Sequence, residues 1–395
     1  VRNTFISLLL VTTLSSCGGS GTSSLGGSTL EGNVISTTVE VEQRFLYALN
    51  SAEGSVSGFV LESGEETGHD HDHAHGRILA QEHDHDHGHG EEGEPEGLEL
   101  RELDSSPYTF GGAPPIDMAV DGHGETLFLL DNAGNLWANA IDGVTGLLTA
   151  GEPVATGVSN PRMLRISADG NALAVLGDGL AIYAIGEGGL SARSFRDGTG
   201  GWSDVRVNGA LGVGADSEGA IGFSWLPGAV IDTRPTVPLP GDGRGQIAYA
   251  EAGIFVVNGG DVSVSQLSQA EDGSLALVAS FGLPDELTDP QTITSIFEGE
   301  DLLVGDSDSV VLLHPHEDEL EEEGHVDLDQ APSVLFPIPE SAFVLVGHAA
   351  GEGYHLLEVG EEGIEILEEA EGEHSGISAF GFAERVEQVT RTVNF

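Results

Sequence analysis

PIDMAV (Pro115–Val120), the turn DGHGE, TLFLLD (Thr126–Asp131), the tight turn NAGN and LWANAID (Leu136–Asp142) form the run of chain that decides the fold. The turn GVTG and a looser strand, LLTAGEPVA, carry it on to Gly157. Four short apolar runs separated by Gly, Asp and Asn turns within ~40 residues have the length and strand count of one β-propeller blade. Leu127 to Leu130 is near-continuously apolar rather than alternating, as expected for a strand covered on both faces.

The same rhythm recurs, and the 395 residues suit an all-β propeller of seven blades. Blade two is the unit just quoted. Blade three is a close copy: NPRMLRIS, ADGN, ALAVLGDG, LAIYAIG, EGG and LSARSF. Blade four runs over 202–240, blade five over 245–287, blade six over 291–329 and blade seven over 332–370. Blade one starts part-way, with RFLYALN (44–50) as second strand, VSGFVLE (56–62) as third and LELRELD (98–104) as fourth. An insertion, 63–97, interrupts it. GISAFGF (376–382) has no blade of its own, and blade one has no clear first strand. The two deficits cancel if the C-terminal strand closes the ring, which also removes exposed sheet edges. VISTTVEVE (34–42) competes for the same place, so eight blades or another closing strand stays open.

Fifty-eight Gly and two Met fit a chain of many turns rather than a helical bundle. The chain holds no Lys, and 66 acids against 13 Arg give a net charge of −53. Phosphates would repel such a surface, which argues against nucleic acid and anionic lipid as partners. An acidic, Lys-poor surface of this kind also matches a marine or halophilic source.

At the N-terminus, Arg2 precedes an apolar run from Phe5 to Leu14, too short to span a bilayer and shaped like an export signal. Leu14-Ser15-Ser16-Cys17 follows, and it resembles the lipobox of bacterial lipoproteins. That resemblance implies lipid on Cys17, loss of the preceding signal peptide (1–17 with its lipobox) and, since Gly18 rather than Asp comes next, the outer membrane of a Gram-negative cell. The protein would face the periplasm or the cell surface. Residues 18–43 are set aside as a tether, Gly18 to Asn33 being flexible by composition, and 44–395 as the propeller.

The insertion carries the chemistry. GHDHDHAHG (68–76) and EHDHDHGHG (82–90) present His69, His71, His73, His75, His83, His85, His87 and His89, eight of the 15 His. Imidazole suits Zn²⁺, Ni²⁺ and Cu²⁺, and carboxylates supplement it. Alternate His on flexible backbone let several rings converge on one ion, so transition-metal binding, zinc first, is expected. His314 and His316, in HPHEDELEEEGH with His325 at its end, form a possible second loose site or a solvated acidic turn. His123, His348, His355 and His374 stand singly, with surface or satisfied imidazole as the default. No P-loop, GxSxG or HExxH occurs, and the lone Cys excludes Cys-ligated zinc and thiol catalysis. No catalytic residue is assigned.

Pro115, Asp117, Asp121-Gly122, Leu127 and Thr145-Gly146-Leu147-Leu148-Thr149, with Pro161 and Asp169-Gly170 in blade three, resemble the repeat of lactonase-type seven-bladed propellers. These residues build turns and strands. The resemblance implies the fold, and a lactonase-like hydrolase as one alternative function. A propeller carrying a His-rich stretch also looks like the periplasmic zinc-chaperone propellers that serve metal importers. The expectation is a lipid-anchored envelope propeller that holds transition metal as reservoir or chaperone, with an envelope metal-transport protein as partner. A non-catalytic interaction scaffold is the remaining alternative.

Overall fold

The computed structural model describes residues 34–63 and 98–394, apart from 187–188, 242–244, 286, 317–318, 349–351 and 361–362. Cys17 and the tract from His69 to His89 lie outside the described residues.

Seven antiparallel sheets form the blades of one propeller, and every sheet after the first follows chain order from its inner to its outer strand. Starting at blade one, the inner strands are Ile377–Asn394, Pro115–Val120, Met163–Ile166, Trp202–Asn208, Ile247–Ala250, Thr292–Ile296 and Val334–Pro337. Among the described residues the helical elements are two short 3₁₀ turns, Gly259–Asp261 and Phe297–Gly299.

The near-continuous apolar run of blade two has a direct explanation. Its alternate residues go to different cores. Leu127 and Leu129 pack towards blade one with Tyr47, Val56 and Met118, whereas Phe128 and Leu130 pack towards blade three with Leu164, Leu173 and Val175. A strand sandwiched between neighbouring sheets must be apolar on both faces. Asp131 then stops the strand. Its Oδ1 accepts the backbone N–H of Ala133 and Asn135, and its Oδ2 takes Asn135 Nδ2 and Trp137 Nε1, fixing the hairpin turn. The looser fourth strand is in two pieces, Leu148–Thr149 and Pro153–Ala155, both paired to the third. Gly151 lies between them, where a Cβ would meet the Ala138 carbonyl oxygen at 2.0 Å, so the chain can cross only as glycine.

The C-terminal strand closes the ring as the inner strand of blade one. Phe45 pairs with Ala383, Tyr47 with Gly381 and Ala48 with Phe380. VISTTVEVE is not a rival for that place. It is the first half of the same second strand, Val34–Asn50, and it pairs with the far end of the closing strand, Val34 against Asn394. Strand therefore begins at Val34, inside the stretch set aside as tether, because 384–394 offers it a partner ladder.

The topology assigns the two faces. Turns joining first to second and third to fourth strands emerge together, and the chain's own first-to-second gap, at Val34 and Asn394, lies on that face. Ser63 and Leu98, the paired residues that flank the segment 64–97, lie there too.

Around the axis, inner strands are tied by a chain of charges. Asp117 of blade two accepts Arg165 Nη1 at 3.1 Å, Arg165 Nε reaches Asp204 of blade four at 3.3 Å, and Arg206 Nε lies 3.4 Å from the other oxygen of Asp204. Asp117 also accepts the Leu164 N–H and Asp204 the Ile247 N–H, each from the next blade at 2.8 Å. These carboxylates are buried, and burial pushes the Asp117 pKa up even with Arg165 beside it. Paired and hydrogen-bonded as they are, the charges link the inner strands of blades two to five.

Candidate metal centre

Blade six gathers ligands at one end of three adjacent strands. Its second strand is Asp301–Gly305, its third Ser309–Pro315 and its fourth Leu320–Asp327. Leu302 pairs with Leu313, so Asp301 and His314 follow one step further along and meet. Asp301 Oδ1 lies 2.5 Å from His314 Nδ1. Across the third strand, His314 pairs with Glu321. The register then slips: Leu313 faces Glu322 and Leu312 faces Gly324, leaving Glu323 as the extra residue of a bulge. A bulge re-aims side chains, and Glu323 joins the cluster. One ligand atom from each of Asp301, His314 and Glu323 lies within 4.8 Å of the others.

The donor set suits a divalent transition metal. Tetrahedral zinc at ligand distances of about 2.0–2.2 Å sets its donors roughly 3.3 Å apart, so Asp301 Oδ1 and His314 Nδ1, 2.5 Å apart, would have to separate if both ligate. Two carboxylates balance the charge of M²⁺. Alternatively Asp301 keeps the Nδ1 proton and His314 ligates through Nε2, the arrangement in which a carboxylate orients a ligating imidazole. Asp301 is the buried partner, 11% exposed against 38% for the ring, as an orienting group should be. The hydrogen bond to Asp301 raises the His314 pKa; burial opposes it, and the charges of Asp301, Glu323 and Glu321 add to the rise. A metal ion at this ring would compete with its proton.

His316 is close by. Its ring centroid lies 4.9 Å from that of His314, edge to face, and its Nε2 contacts Glu321 Oε2 at 2.8 Å. His325 is apart from these: it pairs with Val311 and its Nδ1 contacts Glu322 at 3.2 Å. His123 is exposed in its turn, its backbone N–H on Asp121, and belongs to no group of three candidate ligands among the described residues. The loose acidic turn read from the sequence is therefore a cluster organised around Asp301, a residue which sequence reasoning missed. Its signal was available only in the cross-strand register.

On the opposite face two of the single His turn out to be partners. His348, after the second strand of blade seven, and His355, in its third, are both buried. His348 Nδ1 donates to the Ala331 carbonyl at 3.0 Å, which leaves Nε2 to accept from His355 Nδ1 at 2.7 Å. His355 Nε2 points towards Asp329 at 3.6 Å. Burial and then the neighbouring His348 lower the His355 pKa, and Asp329 only partly offsets them. The two rings spend these nitrogens on each other, which suits a structural pair better than a ligand pair. The side chain of His374 lies outside the described residues.

No protein-family model and no curated protein matches the chain. Solved structures do match its fold. A putative 6-phosphogluconolactonase from Bacteroides fragilis superposes with a TM-score of 0.64 at 14% identity, over 87% of this chain and 98% of that one. Another from Bacteroides uniformis gives 0.62 at 13%, over 87% and 99%. The periplasmic gluconolactonase of Pseudomonas aeruginosa gives 0.59 at 14%, again over 87% and 99%. The shared feature is the propeller fold. At this identity the likeness carries the fold and no site residue.

Proposed function

We propose that this protein captures divalent transition metal, zinc foremost, on the face of the propeller where its third-to-fourth turns emerge. The observation that carries the reading is the convergence of Asp301, His314 and Glu323, with His316 beside them, on the face where Ser63 and Leu98 flank the His-rich segment. The tract supplies capacity through many exchangeable imidazoles, and the blade-six cluster supplies one ordered acceptor. In this reading the protein is a metal reservoir or chaperone of the cell envelope, held to the outer membrane through lipid on Cys17, with a metal-transport protein as recipient.

Zinc calorimetry on the full chain, on a chain lacking 65–95, and on His314→Ala with His316→Ala tests it. The deletion is expected to remove most of the capacity and leave one site, and that site is expected to vanish when the two substitutions are added. Zinc uptake by the deletion variant that is indifferent to His314 and His316 would overturn the assignment. A lactone hydrolase is the second reading, favoured by the activities named for the similar folds. Turnover of a lactone panel by metal-free protein would establish it.

A further inference from the structure

Blade four ends in an exposed apolar tip. The turn joining its third strand, Gly219–Ser224, to its fourth, Asp232–Pro238, reads WLPGAVI. Leu226-Pro227-Gly228-Ala229 is a type II turn. Pro227 holds its second place, Gly228 its third with φ 78°, and the Ala229 N–H donates to the Leu226 carbonyl at 2.9 Å. Trp225, buried beneath, donates Nε1–H to the Gly209 carbonyl at 2.9 Å and its backbone N–H to the Ala210 carbonyl at 3.0 Å. The tip is thereby tied to the first-to-second turn of its own blade. From blade three, the Ser194 hydroxyl donates to the Leu226 carbonyl at 2.6 Å. The backbone is held on both sides, yet Leu226 is 66% exposed and Val230 78%, the two highest values among the large apolar residues described.

Single exposed apolar residues are ordinary. The charges around this pair set it apart. The tip belongs to the face on which first-to-second and third-to-fourth turns emerge. In those turns blades two, three, five, six and seven each place an exposed acid: Asp142, Asp169, Asp272, Glu300 and Glu340. The two turns of blade four, 209–210 and 225–231, hold no charged residue. The first charge past the tip, Asp232, is paired with Arg234. Arg234 Nε also donates to the Asp272 carbonyl at 2.7 Å, which brings the acidic turn of blade five alongside. In a chain of net charge −53, blade four is thus a neutral, apolar sector between acidic neighbours.

A turn already fixed in place loses little freedom when it is gripped, so its apolar side chains can serve as anchors. The charges choose the occupant. A second copy would set acidic turns against acidic turns, and lipid phosphates would be repelled by them as well. A flat bilayer is also held off, because on this face residues 34–43 pair with 385–394 in a ribbon that runs past blade one by about 30 Å.

The geometry points to a docking surface for a partner protein that offers an apolar groove bordered by Lys and Arg. Leu226 and Val230 fill the groove, and Asp272 with the other acids flanking blade four meets the cations. This surface does not depend on the metal cluster or on the reading built on it.

Fluorescence anisotropy on the full chain tests the assignment with two labelled peptides. One is an amphipathic Leu/Lys helix, whose apolar stripe is bordered by ammonium groups, and the other an all-Lys peptide of equal charge. Leu226→Ser with Val230→Ser is expected to weaken the Leu/Lys peptide about tenfold and to leave the all-Lys peptide unchanged. Both side chains are exposed, so this variant should melt as the parent does. Leu277→Ser with Val278→Ser removes two exposed apolar side chains from the outer strand of blade five and is expected to change neither affinity. Leu/Lys binding indifferent to the blade-four substitutions, or weakened as much by those in blade five, would overturn the proposal. So would an equal loss of the all-Lys peptide. Sedimentation with phosphatidylcholine vesicles that disappears in the blade-four variant would overturn it in favour of a lipid contact, and a dimer that disappears there in favour of a contact between copies.

Discussion

Removing residues 376–395 takes away the inner strand of blade one and is the most direct test of how the ring closes. The strand places Ile377, Ala379, Phe380 and Ala383 in the core, with exposures of 1%, 5%, 5% and 0%. Burying such an Ile and Phe is worth about 1.5–3 kcal/mol each, and with the two Ala the loss reaches roughly 5–8 kcal/mol. Phe45 and Tyr47, fully buried in the cluster that Ala379 and Ala383 complete, lose cover as well. A domain has only about 5–15 kcal/mol of net stability, so the truncated chain should lose its cooperative transition. It should also aggregate, because the strand Val34–Asn50 is left with a long unpaired edge. Phe380→Ala gives a graded version. Phe380 packs on Phe336 of blade seven, with ring centroids 5.9 Å apart, and on Leu46 and Leu345. Its truncation should cost about 3–5 kcal/mol and lower the melting temperature by roughly 5–10 °C. Thermal melts followed by far-UV circular dichroism, with size exclusion on the same samples, read both effects. A chain ending at 375 that melts within two degrees or so of the parent would refute the reasoning, since some other segment would then fill the blade.

Titration and charge supply the remaining predictions. The two perturbed histidines pull stability in opposite directions, and the sign separates them. His314 has a raised pKa, so in metal-free protein its contribution is present below about 6.5 and is lost as pH rises through the folded value. His355 has a lowered pKa, so stability falls as pH drops from about 6.5 towards the folded value. Unfolding midpoints measured from pH 5 to 8 should show a shallower acid-side loss in His355→Asn and a shallower alkaline-side loss in His314→Gln, and unchanged profiles would remove both assignments. Zinc affinity of the blade-six cluster should rise over the same interval as the His314 proton leaves. On the axis, Arg165→Met should destabilise by about 3–5 kcal/mol, because Asp117 and Asp204 are buried and would face each other without their shared cation. Denaturant titration reads that loss, and a cost under about 1 kcal/mol would mean the charge chain does not hold the blades.

What the sequence determined by itself was local and periodic. Leu127 to Leu130 announced a strand buried on both sides, and Asp131 with the NAGN turn announced its end, because alternation and turn chemistry are written in consecutive residues. Counting strands even exposed the closure, since blade one was short by the strand that GISAFGF supplied. The sequence also offered HPHEDELEEEGH as a second loose site or a solvated acidic turn. It could not show that the strand before supplies Asp301, 13 positions upstream of His314, or that a bulge presents Glu323, because cross-strand register is a property of the folded sheet. The same holds for VISTTVEVE, which became strand only because 384–394 pairs with it. His348 and His355 read as two isolated imidazoles until the second-to-third turn of blade seven brought them within 2.7 Å. Arg206 and Ile247 belong to different blades. Closing the ring sets inner strands side by side around a common axis, and the hydrogen bond from Arg206 to the Ile247 carbonyl exists only in that folded arrangement.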